Sequence, residues 1–134
     1  MNILKGNLEK SILESDMERI EEYLAAYERE CTEDFDIYSY YVSYYLMTEN
    51  NEKAKEYAEQ AVRLNPFSVE ANYNYAVCSE LLGEMLVAYD YYRRTKYIQK
   101  KFELNILDEN ELEDKILQLK GELLHSEWAD QLTD

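Results

Sequence analysis

The sequence predicts an all-α fold in which about five to seven helices are stacked as pairs. The segments on either side of Asn65–Ser68 look alike when one is shifted along the chain so that Ala54 falls on Ala88. This shift, which we call the repeat period, is about 34 residues and is typical of helix–turn–helix repeats. The chain has only three Gly and one Pro, so few residues interrupt long helices. Apolar residues also recur at intervals of three and four, as on one face of a helix.

Length and charge restrict the class of protein. A chain of 134 residues has the size of one ordinary domain, so we expect a single domain over the whole chain. Its net charge of −15 repels phosphate groups, which argues against nucleic acid and membrane surfaces as partners. Cys31 and Cys78 lack the spacing of a metal site and are expected to be free, buried thiols. Neither a signal peptide nor a membrane span is recognisable, so a cytoplasmic location is expected.

Residues 1–33 are expected to form two atypical helices. The four-residue spacing of Leu4, Leu8 and Ile12 suits a short first helix. Ser15 is followed three residues later by a glutamate, a pattern that predicts a capping box at the start of the second helix.

A first repeat is expected over residues 35–66. Its first helix, from about Phe35 to Glu49, starts after a cap at Thr32 or Asp34. Its tyrosines cover a wide arc, which predicts that it packs between other helices. Its second helix, from about Glu52, begins after a tight turn at Glu49–Asn51, which is expected because asparagine tolerates the left-handed conformation that ends helices.

A second repeat is expected over residues 69–102, because Pro66 ends the preceding helix and Ser68 can cap the next one. Gly83 predicts a left-handed stop between the two helices of this repeat. The second of them meets no breaker and is expected to continue to about Leu104. A final helix over residues 108–132, with Asp108 as its cap, would cover the end of the stack.

The two repeats resemble tetratricopeptide repeats, which combine large aromatic and small apolar residues at fixed positions. The residues at these positions in the first repeat are Tyr38, Tyr41, Val42, Tyr45, Ala54, Ala58, Ala61 and Pro66. Those of the second are Tyr75, Ala76, Gly83, Ala88 and Tyr92. The positions that depart from the usual residue are Glu49 and Ala58 in the first repeat, and Asn72, Ser79, Thr95 and Lys100 in the second. The same offset places Ile20, Tyr23 and Leu24 on the residues of a degenerate earlier copy. The resemblance implies a right-handed α-α superhelix.

The resemblance also implies a function, that of a non-catalytic scaffold which binds a protein segment in a concave groove lined by first helices. An acidic, partly aromatic groove favours a basic or apolar peptide. The candidate groove residues are Asp36, Ser39, Ser43, Leu46, Met47, Glu70, Tyr73, Asn74, Val77, Glu80 and Leu81. Some members of the family clamp acidic peptide termini with Lys and Asn. Here Ser39 and Ser43 stand at two of those positions and only Asn74 agrees, which argues against such a clamp.

Nothing in the sequence points to catalysis. His125 is the only histidine and no nucleophile or acid pairs with it recognisably, so we expect no enzyme, no cofactor and no metal site.

Two features leave alternatives open. The apolar side chains of Leu117, Leu124 and Trp128 lie beside the main stripe of the last helix. They favour a self-associating domain, a possible homodimer, or the N-terminal accessory domain of a larger bacterial enzyme such as a transferase. A basic cluster is either a solvated helix face or a docking patch for an acidic partner or for the chain's own acidic tail. Its members are Arg93, Arg94, Lys96, Lys100 and Lys101.

Overall fold

The computed structural model describes the backbone of residues 2–30 and 35–133 and the side chains of residues 5–29 and 35–125. These residues form helices and turns without a strand, so the predicted all-α fold is confirmed. The helices in chain order are α1 (Asn2–Leu13), α2 (Met17–Glu30), α3 (Asp36–Met47), α4 (Asn51–Leu64), α5 (Val69–Leu81), α6 (Met85–Lys101) and α7 (Glu109–Thr133).

The first six helices form three pairs that repeat along the chain. The second helices of the pairs begin at Met17, Asn51 and Met85, each one repeat period after the last. Burial repeats with the same period even where the residue type changes. One position of the second helices carries Ile20, Ala54 and Ala88, all 0% exposed. A second such position carries Leu24, Ala58 and Tyr92, and a third carries Tyr27, Ala61 and Thr95. All six residues are at most 5% exposed.

The turn within each pair uses one residue in the left-handed conformation. Ser15, Glu49 and Gly83 have φ values of 54°, 60° and 80° and are also spaced by the repeat period. Each turn is closed by two backbone hydrogen bonds, which in the last pair run from Gly83 N–H to the Glu80 carbonyl (3.0 Å) and from Glu84 N–H to the Ser79 carbonyl (2.9 Å). This is the hydrogen-bond pattern of a Schellman motif. The predicted left-handed stop at Gly83 is therefore confirmed.

Three predictions about helix ends are wrong by a few residues. Ser15 is the left-handed turn residue, and the cap of α2 is Asp16, whose carboxylate accepts a hydrogen bond from Arg19 N–H (3.3 Å). Asn50 caps α4 by accepting from the Lys53 N–H (3.3 Å), while Glu49 takes the positive φ that was expected of the asparagines. Helix α6 ends at Lys101 instead of Leu104, because another left-handed turn follows it at Glu103.

The junction between the second and third pairs has the predicted chemistry. Ser68 caps α5 by accepting from the Ala71 N–H at 3.1 Å. The Asn72 amide, 0% exposed, donates to the carbonyls of Pro66 (2.9 Å) and Ser68 (2.8 Å). Asn72 stands where the repeat usually has an aromatic residue, and here it fastens α5 to the turn that precedes it.

The tyrosines of α3 fill the space between neighbouring helices, as predicted, since α3 contacts α1 and α2 as well as α4 and α5. Their hydroxyls donate to glutamates of the first pair, in the contacts Tyr40–Glu9 (2.6 Å), Tyr41–Glu28 and Tyr44–Glu21. The rings of Tyr41 and Tyr57 stack at 4.5 Å. Hydrogen bonds between the two residue types thus explain part of the high tyrosine and glutamate content of the chain.

Gln99 fixes the loop that leads into α7. Its side chain is 1% exposed, and its Oε1 accepts from the Leu107 N–H (2.8 Å) while its Nε2 donates to the Leu107 carbonyl (3.0 Å). Asp108 then caps α7 as predicted, by accepting from the N–H groups of Asn110 (2.9 Å) and Glu111 (3.0 Å).

Five predicted side chains lie outside the described residues, namely Leu4, Cys31, Thr32, Asp34 and Trp128. Cys78 is described, and it is a free, buried thiol as predicted. Burial raises its pKa to about 11.

Candidate functional site

The first helices lie side by side and form one surface, which we call the groove face (α1, α3, α5 and α7). Polar pairs connect neighbouring first helices at equivalent positions. The ammonium group of Lys5 on α1 binds Asp36 on α3, and the hydroxyl of Ser39 on α3 donates to Glu70 on α5. The two pairs are related by the repeat period. The repeat therefore sets an acidic residue at the same place on α3 and on α5.

Helix α7 continues this row with a longer offset. Its buried stripe of Leu112, Ile116 and Leu119 corresponds to Ala71, Tyr75 and Cys78 on α5. This offset exceeds the repeat period by about two helical turns. Glu111 is thereby the equivalent of Asp36 and Glu70, and Tyr73 is the equivalent of Lys5 and Ser39.

Tyr73 and Glu111 line a shared pocket of about 220 Å³ on the groove face. Leu107 and Leu112 supply its apolar wall, and the carboxylates of Asp108 and Glu111 stand at its edge together with Lys115. The Tyr73 ring is held edge-on against Tyr92, with 5.8 Å between ring centroids. The pocket thus combines a fixed aromatic wall with two exposed carboxylates.

Apart from Glu80, the groove candidates divide into three groups according to their surroundings. Asp36, Ser39 and Glu70 belong to the polar pairs between helices. Those that pack against neighbouring clusters are Leu46, Met47, Tyr73 and Val77. Ser43, Asn74 and Leu81 make no side-chain hydrogen bond or ion pair among the described residues, and Leu81 is 55% exposed. Asn74 lines a gap of about 10 Å³ between α3 and α5, which has room for about one water molecule.

Glu80 has structural partners of its own. Its carboxylate accepts a hydrogen bond from the Tyr92 hydroxyl (2.8 Å) and forms an ion pair with Lys115 on α7 (3.0 Å). Burial, followed by the hydrogen bond from the hydroxyl to Glu80, raises the pKa of Tyr92. Glu80 therefore links α5, α6 and α7, and substituting it would disturb the stack as well as the groove face.

Asp108, Glu111 and Lys115 are groove-face residues that were not among the predicted candidates. The acidic run at the start of α7 predicts a helix cap, which Asp108 does provide. Alignment of the apolar stripe of α7 with that of α5 would have identified Glu111 as the equivalent of Glu70. A search restricted to the repeat period does not find it.

Comparison with known proteins identifies the architecture. No family model and no curated protein matches this sequence. Solved structures do match, among them the crystal structure of the Sgt2 TPR domain from Aspergillus fumigatus, where TPR denotes tetratricopeptide repeat. The TM-score is 0.78 at 13% sequence identity, and the match covers 94% of this chain and 80% of that chain. The chain has the tetratricopeptide-repeat fold.

Within the tetratricopeptide-repeat fold, the residues that the structure describes contain no group of three His, Cys, Asp or Glu side chains that could hold a metal ion. Over the same residues, every helix is too short or too polar to cross a membrane. The groove face and its Tyr73 pocket are the features that the repeat architecture itself builds.

Proposed function

We propose that this protein is a non-catalytic interaction scaffold whose groove face binds a basic or apolar segment of a partner protein. The pocket beside Tyr73 carries the proposal. A lysine or arginine side chain can lay its aliphatic stem along Tyr73 and Leu107 and direct its charged end to Asp108 and Glu111.

The row of acidic side chains along the first helices supports the same class of partner. Asp36 is paired with Lys5, and Glu80 is paired with Lys115. Glu70 and Glu111 form no ion pair within the described residues, and both are exposed. They are therefore the carboxylates that a cationic partner would meet, in a chain whose net charge of −15 also attracts it over a longer range.

Charge reversal on the groove face tests the proposal. The probe is a fluorescein-labelled peptide of about twelve residues that alternates lysine with leucine, long enough to cross several first helices in an extended form. The double variant Glu70→Lys and Glu111→Lys should weaken its binding to the protein about tenfold or more in fluorescence anisotropy, because two favourable charge contacts become repulsive.

The matched control reverses two acidic residues of the same kind on second helices. Glu18 and Glu52 are exposed and stand in the first turns of α2 and α4. Their loss affects the helix dipole as the loss of Glu70 and Glu111 does. The control variant Glu18→Lys and Glu52→Lys should retain nearly all affinity beyond the general effect of net charge. Equal weakening in both variants would leave only a nonspecific attraction and would remove the groove face from the function.

Self-association is the competing function. It is favoured by the exposure of two leucines on α7, Leu117 at 55% and Leu124 at 47%. Its cost is the repulsion between two copies that each carry a charge of −15. Light scattering distinguishes the two, since a scaffold of the proposed kind stays monomeric at high concentration.

A further inference from the structure

A second cleft lies between α6 and α7 and differs in character from the groove face. It has a volume of about 430 Å³, and basic side chains from both helices line it. Arg93, Lys96 and Lys100 come from α6 and Lys120 comes from α7, while Tyr97 and Leu117 supply apolar surface. On α7 the cleft lies on one side of the buried stripe and the Tyr73 pocket on the other.

Most of the positive charge in this cleft is uncompensated. Lys96 forms an ion pair with Glu113. The other three cations, Arg93, Lys100 and Lys120, have no carboxylate within 4.0 Å in the described part of the chain. A chain with 29 acidic and 14 basic residues thus presents a local cationic surface, and its charge is complementary to that of an acidic ligand.

The repeat geometry indicates the shape of that ligand. The longer offset between α5 and α7 relates Asn72, Ala76 and Ser79 to Glu113, Leu117 and Lys120. On α5 these three residues are 0% exposed, and Ala76 packs with Ala88 of α6, the second helix of the same pair. On α7 the equivalent face meets no second helix within the described residues, and Leu117 remains 55% exposed. The cleft therefore lies where, in the preceding pair, the second helix packs against the first.

We propose that the cleft between α6 and α7 binds an acidic amphipathic helix of another protein, which occupies the place of a second helix for α7. Its apolar stripe packs on Ile116 and Leu117, and its carboxylates face Arg93, Lys100 and Lys120. This surface is separate from the groove face, and it needs neither the peptide nor the residues proposed there.

Charge selects this occupant over a second copy of the chain. In a two-fold symmetric contact a patch meets itself, so the Lys120 and Arg93 of each copy would approach the cations of the other. Nucleic acid and anionic membranes match the cleft in sign, but they extend beyond it onto a surface that is acidic in sum. A short acidic helix needs contact only with the cleft.

The test uses a labelled synthetic helix as long as α4, which has 14 residues. It has leucines at intervals of three and four and glutamates beside them. A second peptide carries glutamine in place of each glutamate, so that it keeps the leucines and lacks the charge. Binding to the full chain is measured by fluorescence anisotropy at an ionic strength of about 0.05 M. The acidic peptide should bind, and the glutamine peptide should bind at least about tenfold more weakly.

Matched variants locate the site. Arg93→Gln with Lys100→Gln should weaken binding of the acidic peptide about five- to twentyfold. The control variant Arg94→Gln with Lys53→Gln removes the same amount of charge outside the cleft. It should change the affinity for the acidic peptide by less than about twofold. Leu117→Asp should abolish binding, while Leu86→Asp, at an equally exposed leucine of α6 (62%), should not.

The proposal is overturned if the acidic peptide does not bind, or if the two pairs of glutamine variants weaken it equally. It is also overturned if an oligonucleotide or vesicles of anionic lipid displace the peptide from the cleft at lower concentration than the unlabelled peptide does. If light scattering shows a dimer, and Leu117→Asp dissociates that dimer, the cleft is assigned to a second copy of the chain instead. None of these outcomes depends on the groove-face peptide, so this proposal and the proposed function fail separately.

Discussion

Leu119 is the most deeply buried residue of the α7 stripe, and its truncation has a calculable effect. Its side chain is 0% exposed and packs in a cluster with Ala88 and Tyr92 of α6. Leu119→Ala removes roughly three buried carbon groups at about 0.8 kcal/mol each. The cavity left behind adds to this, so the free energy of unfolding should fall by about 3 kcal/mol.

Leu117→Ala is the matched control, because Leu117 lies nearby on the same helix and is 55% exposed. The same truncation there should change the free energy of unfolding by less than about 0.5 kcal/mol.

Urea denaturation followed by circular dichroism measures both variants. With a denaturant slope of about 2 kcal/mol per molar urea, Leu119→Ala should lower the midpoint by about 1.5 M. Because each unit of a repeat protein contacts mainly its neighbours, hydrogen exchange should accelerate more in α6 and α7 than in α1 and α2. Equal midpoints for the two variants would refute the packing of α7 described above.

Three further predictions concern single groups. The hydrogen bond from Tyr44 to Glu21 raises the pKa of Tyr44 from its ordinary value of 10 to about 12, so this contribution to stability is complete below pH 10 and is lost as the pH rises from about 10 to about 12. Thermal melts across that range should show the loss, and Tyr44→Phe should show a shallower one. The buried Cys78 thiol, with its pKa raised to about 11, should resist a thiol reagent in the native protein and react on unfolding, as counted in a Cys31→Ser background. Glu49→Gly should raise the free energy of unfolding by up to about 1 kcal/mol, because Glu49 has a φ of 60° that glycine adopts without strain. An unchanged or lower melting temperature would contradict that reasoning.

The parts of the fold that sequence could predict are those with a local chemical cause. Pro66 and Ser68 end one helix and start the next through the loss of a donor and the gain of a side-chain acceptor. Gly83 accepts a positive φ at no steric cost. Such residues determine the backbone within a few positions of themselves. The helix boundaries that they set therefore make the repeat period recognisable in the sequence.

The remaining turns depend on tertiary packing. Ser15 and Glu49 adopt the left-handed conformation because the helices on both sides are held in the repeat register. Neither serine nor glutamate is typical of that conformation, so the residue type does not predict it. In α2 the positions occupied by Ala54 and Ala58 in α4 carry Ile20 and Leu24. The burial pattern is maintained in α2 by larger side chains. A comparison of residue types alone therefore detects the repeat in α2 only weakly.

The candidate site was predictable in part for a related reason. The groove residues on α3 and α5 follow from the repeat period, but Glu111 follows only from the burial of Leu112 and its neighbours, because α7 is displaced by two further turns. The basic cluster falls within one short segment of the sequence, yet the helix directs its members to different surroundings. Arg93 lines the cleft, whereas Arg94 lies over the ring of Tyr91 at 4.4 Å.

The groove face is most directly tested by amide chemical-shift mapping of the full chain with the lysine–leucine peptide described above. A binding site on the groove face predicts that shifts concentrate on first helices, at Ser43, Asn74 and Glu111, and that they reach saturation together. Shifts of equal size at Glu18 and Glu52 on the second helices, or shifts spread evenly over the acidic surface, would contradict it.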